Sequence, residues 1–317
     1  YVPGINALDI GKFHPSAKIT GLFMQPSFAQ AQREGRFRAL PMSYAGFVRH
    51  LLDHVDIDLT VVQVSTPDAA GNCSLGPAVE FMPAALRKSR RILALINAQT
   101  PNMAGAVSVP YSSFDYVCNV DSALPVYDNA ADAQTDAIAQ HIAPLIEDGS
   151  ALQVGLGKVP AALSQLLKSR RKLRMHSGML SDGFIELADA GALDMDFLHK
   201  TCVLVGSKHF YQRAKEIGQL YVAGCDVTHD ARLLLELDRF VAVNSALEVD
   251  LFGQCNLEHV NGAAVSGAGG APDFARAGRL SAGGCSVVAL QAKHKHGSRI
   301  VPVLSGNAVA SLSRVDV

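Results

Sequence analysis

The chain has 317 residues, 49% hydrophobic and only 18% charged, with Lys+Arg 28 against Asp+Glu 29. This apolar content excludes a disordered chain and is enough for one large or two ordinary domain cores. A formal net charge of -1, aromatics at 6% and no Trp exclude the electrostatic footprint and stacking platforms of a nucleic-acid binder. The longest apolar runs, 202–206 and 286–292, fall far short of the ~20 residues that span a bilayer, so no membrane segment is expected.

In chain order, short β-branched runs at 59–64, 91–96, 116–119, 151–154, 172–175, 201–205, 240–243, 286–289 and 299–303 read as strands. Helical i, i+3, i+4 spacing occupies 83–89, 132–146, 160–169 and 181–190. The alternation predicts an α/β fold with largely parallel, buried sheets. Apolar periodicity lapses over 126–136, which places a boundary there and gives two α/β domains, 1–128 and 129–317. Glycine concentrates in 261–284, which reads as a structured loop that turns sharply or approaches a ligand, or alternatively as a loose surface loop. The six cysteines, Cys73, Cys118, Cys202, Cys225, Cys255 and Cys285, show no CxxC and no zinc-type spacing. They read as reduced cytosolic thiols, and neither a metal site nor a permanently bound cofactor is expected. The sequence opens at Tyr1 without a Met, so a trimmed targeting peptide would leave no trace.

Three segments carry the pattern of a site. The strand at 59–64 runs into VSTPDAAGNCSLG, a turn at a carboxyl edge, where α/β proteins bind ligands. DGSALQVGLGKVPAAL takes a strand into Gly155-x-Gly157-x-x-Pro160 and a helix, so backbone amides face an anionic or carbonyl oxygen. A Pro where the third glycine belongs, and no acidic residue some twenty positions on, disfavour a dinucleotide fingerprint. RMHSGMLSDGFIELADAGAL is again strand, loop and helix, with Ser181 or Asp182 as N-cap.

Together with VNSALEVDLFGQCNLEHVNG, SGAGGAPDFARAG and GSRIVPVL, these motifs resemble the acetyl-CoA hydrolase/transferase family, in order from about Val55 onward. The resemblance implies two CoA-transferase-type α/β domains, a homodimer, and acyl-CoA held between the domains as substrate, with a small carboxylate as acceptor. The chain is expected to begin after the family's first strand–helix unit and to stop before its final segment. In family transferases a glutamate in the segment resembling HSGMLSDG attacks the thioester and forms a glutamyl-CoA thioester. Here that position is Gly178, so transfer lacks its nucleophile unless Glu186, Glu248 or Glu258 substitutes, Glu258 being the best placed of the three. By the same resemblance Gly155, Gly157, Gly267, Gly269 and Gly270 line the thioester and Asn244 stands near the reacting carbonyl. His176, two residues before Gly178, is the candidate general base, and it reads alternatively as a hydrogen-bonded core histidine. The cluster KHKHGSR offers Lys293 and Lys295 to the CoA phosphates, though it also reads as a solvated loop or as a His294/His296 metal pair. The expected function is hydrolysis or transfer of CoA thioesters of small acids in the cytoplasm; the alternative is a catalytically silent CoA-binding sensor or subunit partner.

Overall fold

A computed structural model describes residues 8–103, 105–127, 132–294, 297–304, 308–313 and 316–317. Two parallel sheets carry the molecule. Helix α1 (Tyr44–His54), N-capped by the Ser43 hydroxyl, leads into β1 (Ile57–Val64), and α2 (Met82–Lys88) leads into β2 (Ser89–Asn97), which is followed by β3 (Tyr116–Val120). These strands form a three-stranded sheet, β1-β2-β3, with every pair parallel. In β1, Thr60, Val62 and Val64 are buried while Leu59 and Val61 face outward, the period of two expected of a sheet covered on one side.

The second sheet starts after α3 (Ala133–Ile142), whose Asp132 forms a capping box with Thr135. It comprises β4 (Ala151–Val154), β5 (Arg174–Met175), β6 (Phe240–Ser245) and β7 (Cys285–Ala289) in the order β7-β6-β4-β5, all parallel. Central β6 is buried from Phe240 to Val243 because helices cover both faces. These are α4 (Lys158–Leu167), α5 (Asp182–Asp189) and α6 (Ala271–Leu280), each with an apolar stripe turned inward. No described helix is long and apolar enough to cross a membrane.

The glycine-rich segment expected to be a loop instead contains α6. Pro272 sits in its first turn, and Phe274, Ala275, Ala277 and Gly278 form its buried face. Gly278 lets α6 lie close on β7, since a Cβ there would stand 2.7 Å from the Cys285 carbonyl oxygen. One continuous apolar core joins the two halves: Val62, Val64 and Ile96 of the first sheet belong to the same cluster as Leu152, Phe184, Phe210 and Val243. The chain crosses between the sheets through the expected boundary region, where residues 128–131 lie outside the described set.

Candidate active site

The carboxyl ends of β4 and β6 open on a cavity of about 340 Å³. Gln153, Val154 and Gly155 come from β4 and the turn after it, and Asn244 comes from β6. Gly178 enters from the loop after β5, and Gly269 and Gly270 from the start of α6. Sequence-distant glycine segments thus meet in one wall. Gly157 and Gly267 do not line the cavity but shape its edge. Gly157 has φ +133 and is the N-cap of α4, while a Cβ on Gly267 would stand 2.3 Å from the Leu22 carbonyl oxygen. Neither α4 nor α6 has a capping side chain, so both present backbone N–H groups at their glycine starts.

Two polar atoms in the wall have no partner. Asn244 Nδ2 is buried without a hydrogen bond, and so is Gln153 Oε1, although Gln153 Nε2 donates to the Val243 carbonyl at 3.4 Å. An unpaired buried polar group costs about 1–3 kcal/mol, which a bound carbonyl or carboxylate would recover at Asn244.

Gly178 has a backbone that any residue can adopt: its φ lies outside the left-handed range, and a Cβ would rest 3.4 Å from His229 Nε2 and from Phe274 Cε2, ordinary contact. Its carbonyl accepts from the backbone N–H of Cys202 (3.3 Å) and Val203 (3.1 Å) and from the Cys202 thiol (3.1 Å).

His176, expected as general base, is fully buried and is not part of the cavity wall. Its Nε2 donates to the Thr228 carbonyl at 2.9 Å, and burial lowers its pKa to about 4. The histidine in the wall is His229, hydrogen-bonded through Nδ1 to Thr228 Oγ1 at 2.8 Å and lowered by burial to about 3. Gly270 is packed against it, because a Cβ there would stand 2.2 Å from His229 Nε2.

None of the three substitute carboxylates lines this cavity. Glu186 lies on α5, paired with Lys168 at 3.3 Å. Glu248 accepts from Asn256 Nδ2 at 3.0 Å in a separate cavity, and Glu258 accepts from the Ser311 hydroxyl at 2.7 Å. Lys293 sits exposed on a short hairpin strand, away from the wall, and Lys295 lies outside the described residues.

The carboxylate in the wall is Glu80, which local sequence reasoning missed. It holds a left-handed backbone, φ +41, uncommon for a residue with a side chain. That conformation is clamped from both sides: its N–H points to the Cys202 carbonyl at 3.4 Å, and its own carbonyl accepts from the Cys225 N–H at 2.7 Å. Burial raises its carboxyl pKa above the usual value. Its one sequence signal is an acidic residue inside the apolar run Val79–Met82, directly after the turn at Gly76. The site also groups Cys202, Cys225 and His229, whose ligand atoms lie within 4.8 Å of one another, a spatial cluster that sequence spacing could not reveal. These are three donors, the fewest a zinc site uses, and burial drives the Cys225 thiol well toward its protonated form.

Residues 25–127 match the acetyl-CoA hydrolase/transferase N-terminal domain and residues 206–317 the C-terminal domain. The 4-hydroxybutyrate coenzyme A transferase of Clostridium kluyveri is 32% identical over 272 residues, covering 82% of this chain and 63% of the relative. An acetyl-CoA hydrolase of Kluyveromyces lactis is 23% identical over 286 residues, covering 76% of this chain and 54% of the relative. The chain therefore spans less than two thirds of the length of either. The crystal structure of 4-hydroxybutyrate CoA-transferase from Porphyromonas gingivalis superposes with a TM-score of 0.77 at 25% identity, over 91% of this chain and 74% of that one. With two domain models of one family matched in order and the fold shared, the chain belongs to the acetyl-CoA hydrolase/transferase family.

Proposed function

We propose that the chain hydrolyses CoA thioesters of small carboxylic acids, with the reacting carbonyl in the cavity that holds Gly178. The observation that carries this reading is the wall itself, in which the unpartnered Asn244 Nδ2 and the uncapped glycine start of α6 meet in one small space, with the uncapped start of α4 at its edge. Donors placed in advance around a developing oxyanion contribute on the order of 3 kcal/mol each. About 340 Å³ is at the small end of ligand pockets, which suits a short acyl group and its thioester while the nucleotide part of CoA stays outside. By the resemblance, Gly178 stands where the family carries its attacking glutamate, and the missing side chain favours water over a carboxylate as nucleophile.

The test is to mix the protein with acetyl-, propionyl- and butyryl-CoA and follow free thiol with and without an acceptor acid. Thiol release without acceptor is the expected result. Release only with acceptor would establish transfer, and binding without release would refute turnover.

A further inference from the structure

We propose that Glu80 is the catalytic general base of this site, drawing the proton from a water that attacks the thioester carbonyl. The inference rests on the reading that the cavity turns over CoA thioesters. It starts from a juxtaposition: Glu80 and Gly178 line the same cavity and are joined through one peptide. Cys202 donates its N–H to the Gly178 carbonyl, while its own carbonyl receives the N–H groups of Val79 and Glu80. Two interstrand steps, roughly 10 Å of backbone separation, lie between Glu80 and Gly178. Gly178 adds no side chain to the cavity that both residues line, which leaves space there for a water beside a bound thioester.

The local chemistry suits a base better than a structural carboxylate. Among the described residues no side chain or N–H hydrogen-bonds the Glu80 carboxyl, and no cation pairs with it. Among the described residues its titratable neighbours include Tyr44 of α1, Cys225 and His229, which burial holds uncharged at neutral pH; the nearby ion pair of Arg87 and Asp226 (2.8 Å) is satisfied within itself. Burial therefore raises the basicity of the carboxylate, as general-base catalysis near neutral pH requires. The left-handed backbone, clamped by Cys202 and Cys225, fixes where the side chain starts.

In the step, the water oxygen bonds to the carbonyl carbon as Glu80 takes its proton. The C=O electron pair moves onto oxygen, where Asn244 Nδ2 donates to it. Collapse breaks the C–S bond, and the leaving CoA thiolate takes the proton from Glu80. The products are the carboxylic acid and free CoA thiol, and Glu80 returns ionised.

The experiment compares wild type, Glu80→Gln and Glu80→Asp with acetyl-CoA, including a single turnover in ¹⁸O-water. Glu80→Gln should slow thiol release by roughly 10²–10⁴-fold with the CoA dissociation constant within about threefold of wild type, Glu80→Asp should retain part of the activity, and the acid limb of the pH–rate profile should vanish in Glu80→Gln. The ¹⁸O should appear in acetate alone. Wild-type turnover with Glu80→Gln within about threefold would overturn the role of Glu80 and leave the function intact. Label in the Glu80 peptide, or a covalent adduct there, would overturn the base role in favour of a nucleophile. A wild type that binds acetyl-CoA and releases no thiol would overturn both readings.

Discussion

Adding a carboxylate opposite Glu80 provides a sharp measure of how the two positions see one another. In Gly178→Glu the backbone needs no change, and the new Cβ meets His229 and Phe274 at 3.4 Å, so the side chain fits the cavity. Replacing glycine restricts the unfolded chain and stabilises by about 0.4–1 kcal/mol. Against this, two carboxylates roughly 5–8 Å apart repel by about 2–3 kcal/mol at an effective dielectric near 20. Gly178→Glu alone should therefore be destabilised at pH 7 by about 1–2.5 kcal/mol, a drop in Tm on the order of 2–5 °C. In the Glu80→Gln background the repulsion is gone, and Gly178→Glu should be neutral or slightly stabilising. Denaturant unfolding of the four proteins of this cycle reads the coupling directly. A coupling energy below about 0.5 kcal/mol would refute the claim that positions 80 and 178 face one cavity. Intact mass after incubation with acyl-CoA adds a second reading, since Gly178→Glu should acquire a covalent CoA adduct that wild type lacks.

His176, His199 and His229 are buried and held neutral, with pKa values lowered by burial to about 4, 4 and 3. The unfolded chain takes up protons below about pH 6.5 while the folded one does not, so stability is full above that value and falls as pH drops toward 4, by on the order of 2 kcal/mol per histidine at pH 5; equal unfolding free energies at pH 7 and pH 5 would contradict this burial. The carboxyl of Glu80 has the opposite sign: its raised folded pKa favours the native state at low pH and loses that contribution as pH rises through it, so Glu80→Gln should be more stable than wild type at pH 7. Gly270→Ala places a Cβ 2.2 Å from His229 Nε2 and should cost more than about 2 kcal/mol, whereas Gly155→Ala, with nothing within 4 Å, should leave Tm within about 1 °C; similar effects of the two in thermal unfolding would argue against the packing described.

The strands were legible because parallel strands carry short, dense apolar runs whether one face is buried, as in 59–64, or both, as in 240–243, and 59–64, 91–96, 151–154 and 240–243 all fall inside observed strands. Helix α6 was hidden because Ala and Gly fill the face that packs closely on β7, which removes the large apolar residues that mark a helix in sequence. Helix α1 has ordinary signals, a Ser43 cap and Val48 with Leu51 on one face, that the sequence reading passed over. Gly155, Asn244, Gly269 and Gly270, to which the family resemblance points through local motifs, line the cavity. Glu80, His229, Tyr44 and Phe23 could not be found in this way, because the fold alone brings them to the cavity and none belongs to a catalytic spacing. His176 shows the reverse case: next to Ser177 and Gly178 in sequence, it is turned into the core, where its Nε2 is held by Thr228.

The ties between α1 and α6 have a consequence for how the molecule is made. The Tyr44 N–H donates to the Gly269 carbonyl at 3.1 Å, and Asp273 accepts from the Ala45 N–H at 3.2 Å across 228 residues of sequence. Contacts of such separation close late, after the local units between them have ordered. During synthesis, both sheets can begin to collapse before residues 269–273 leave the ribosome, yet one wall of the cavity is still missing at that stage. The cavity is thus completed only after both sheets have begun to form, and a transient parting of α1 from α6 would undo it while the sheets stay intact.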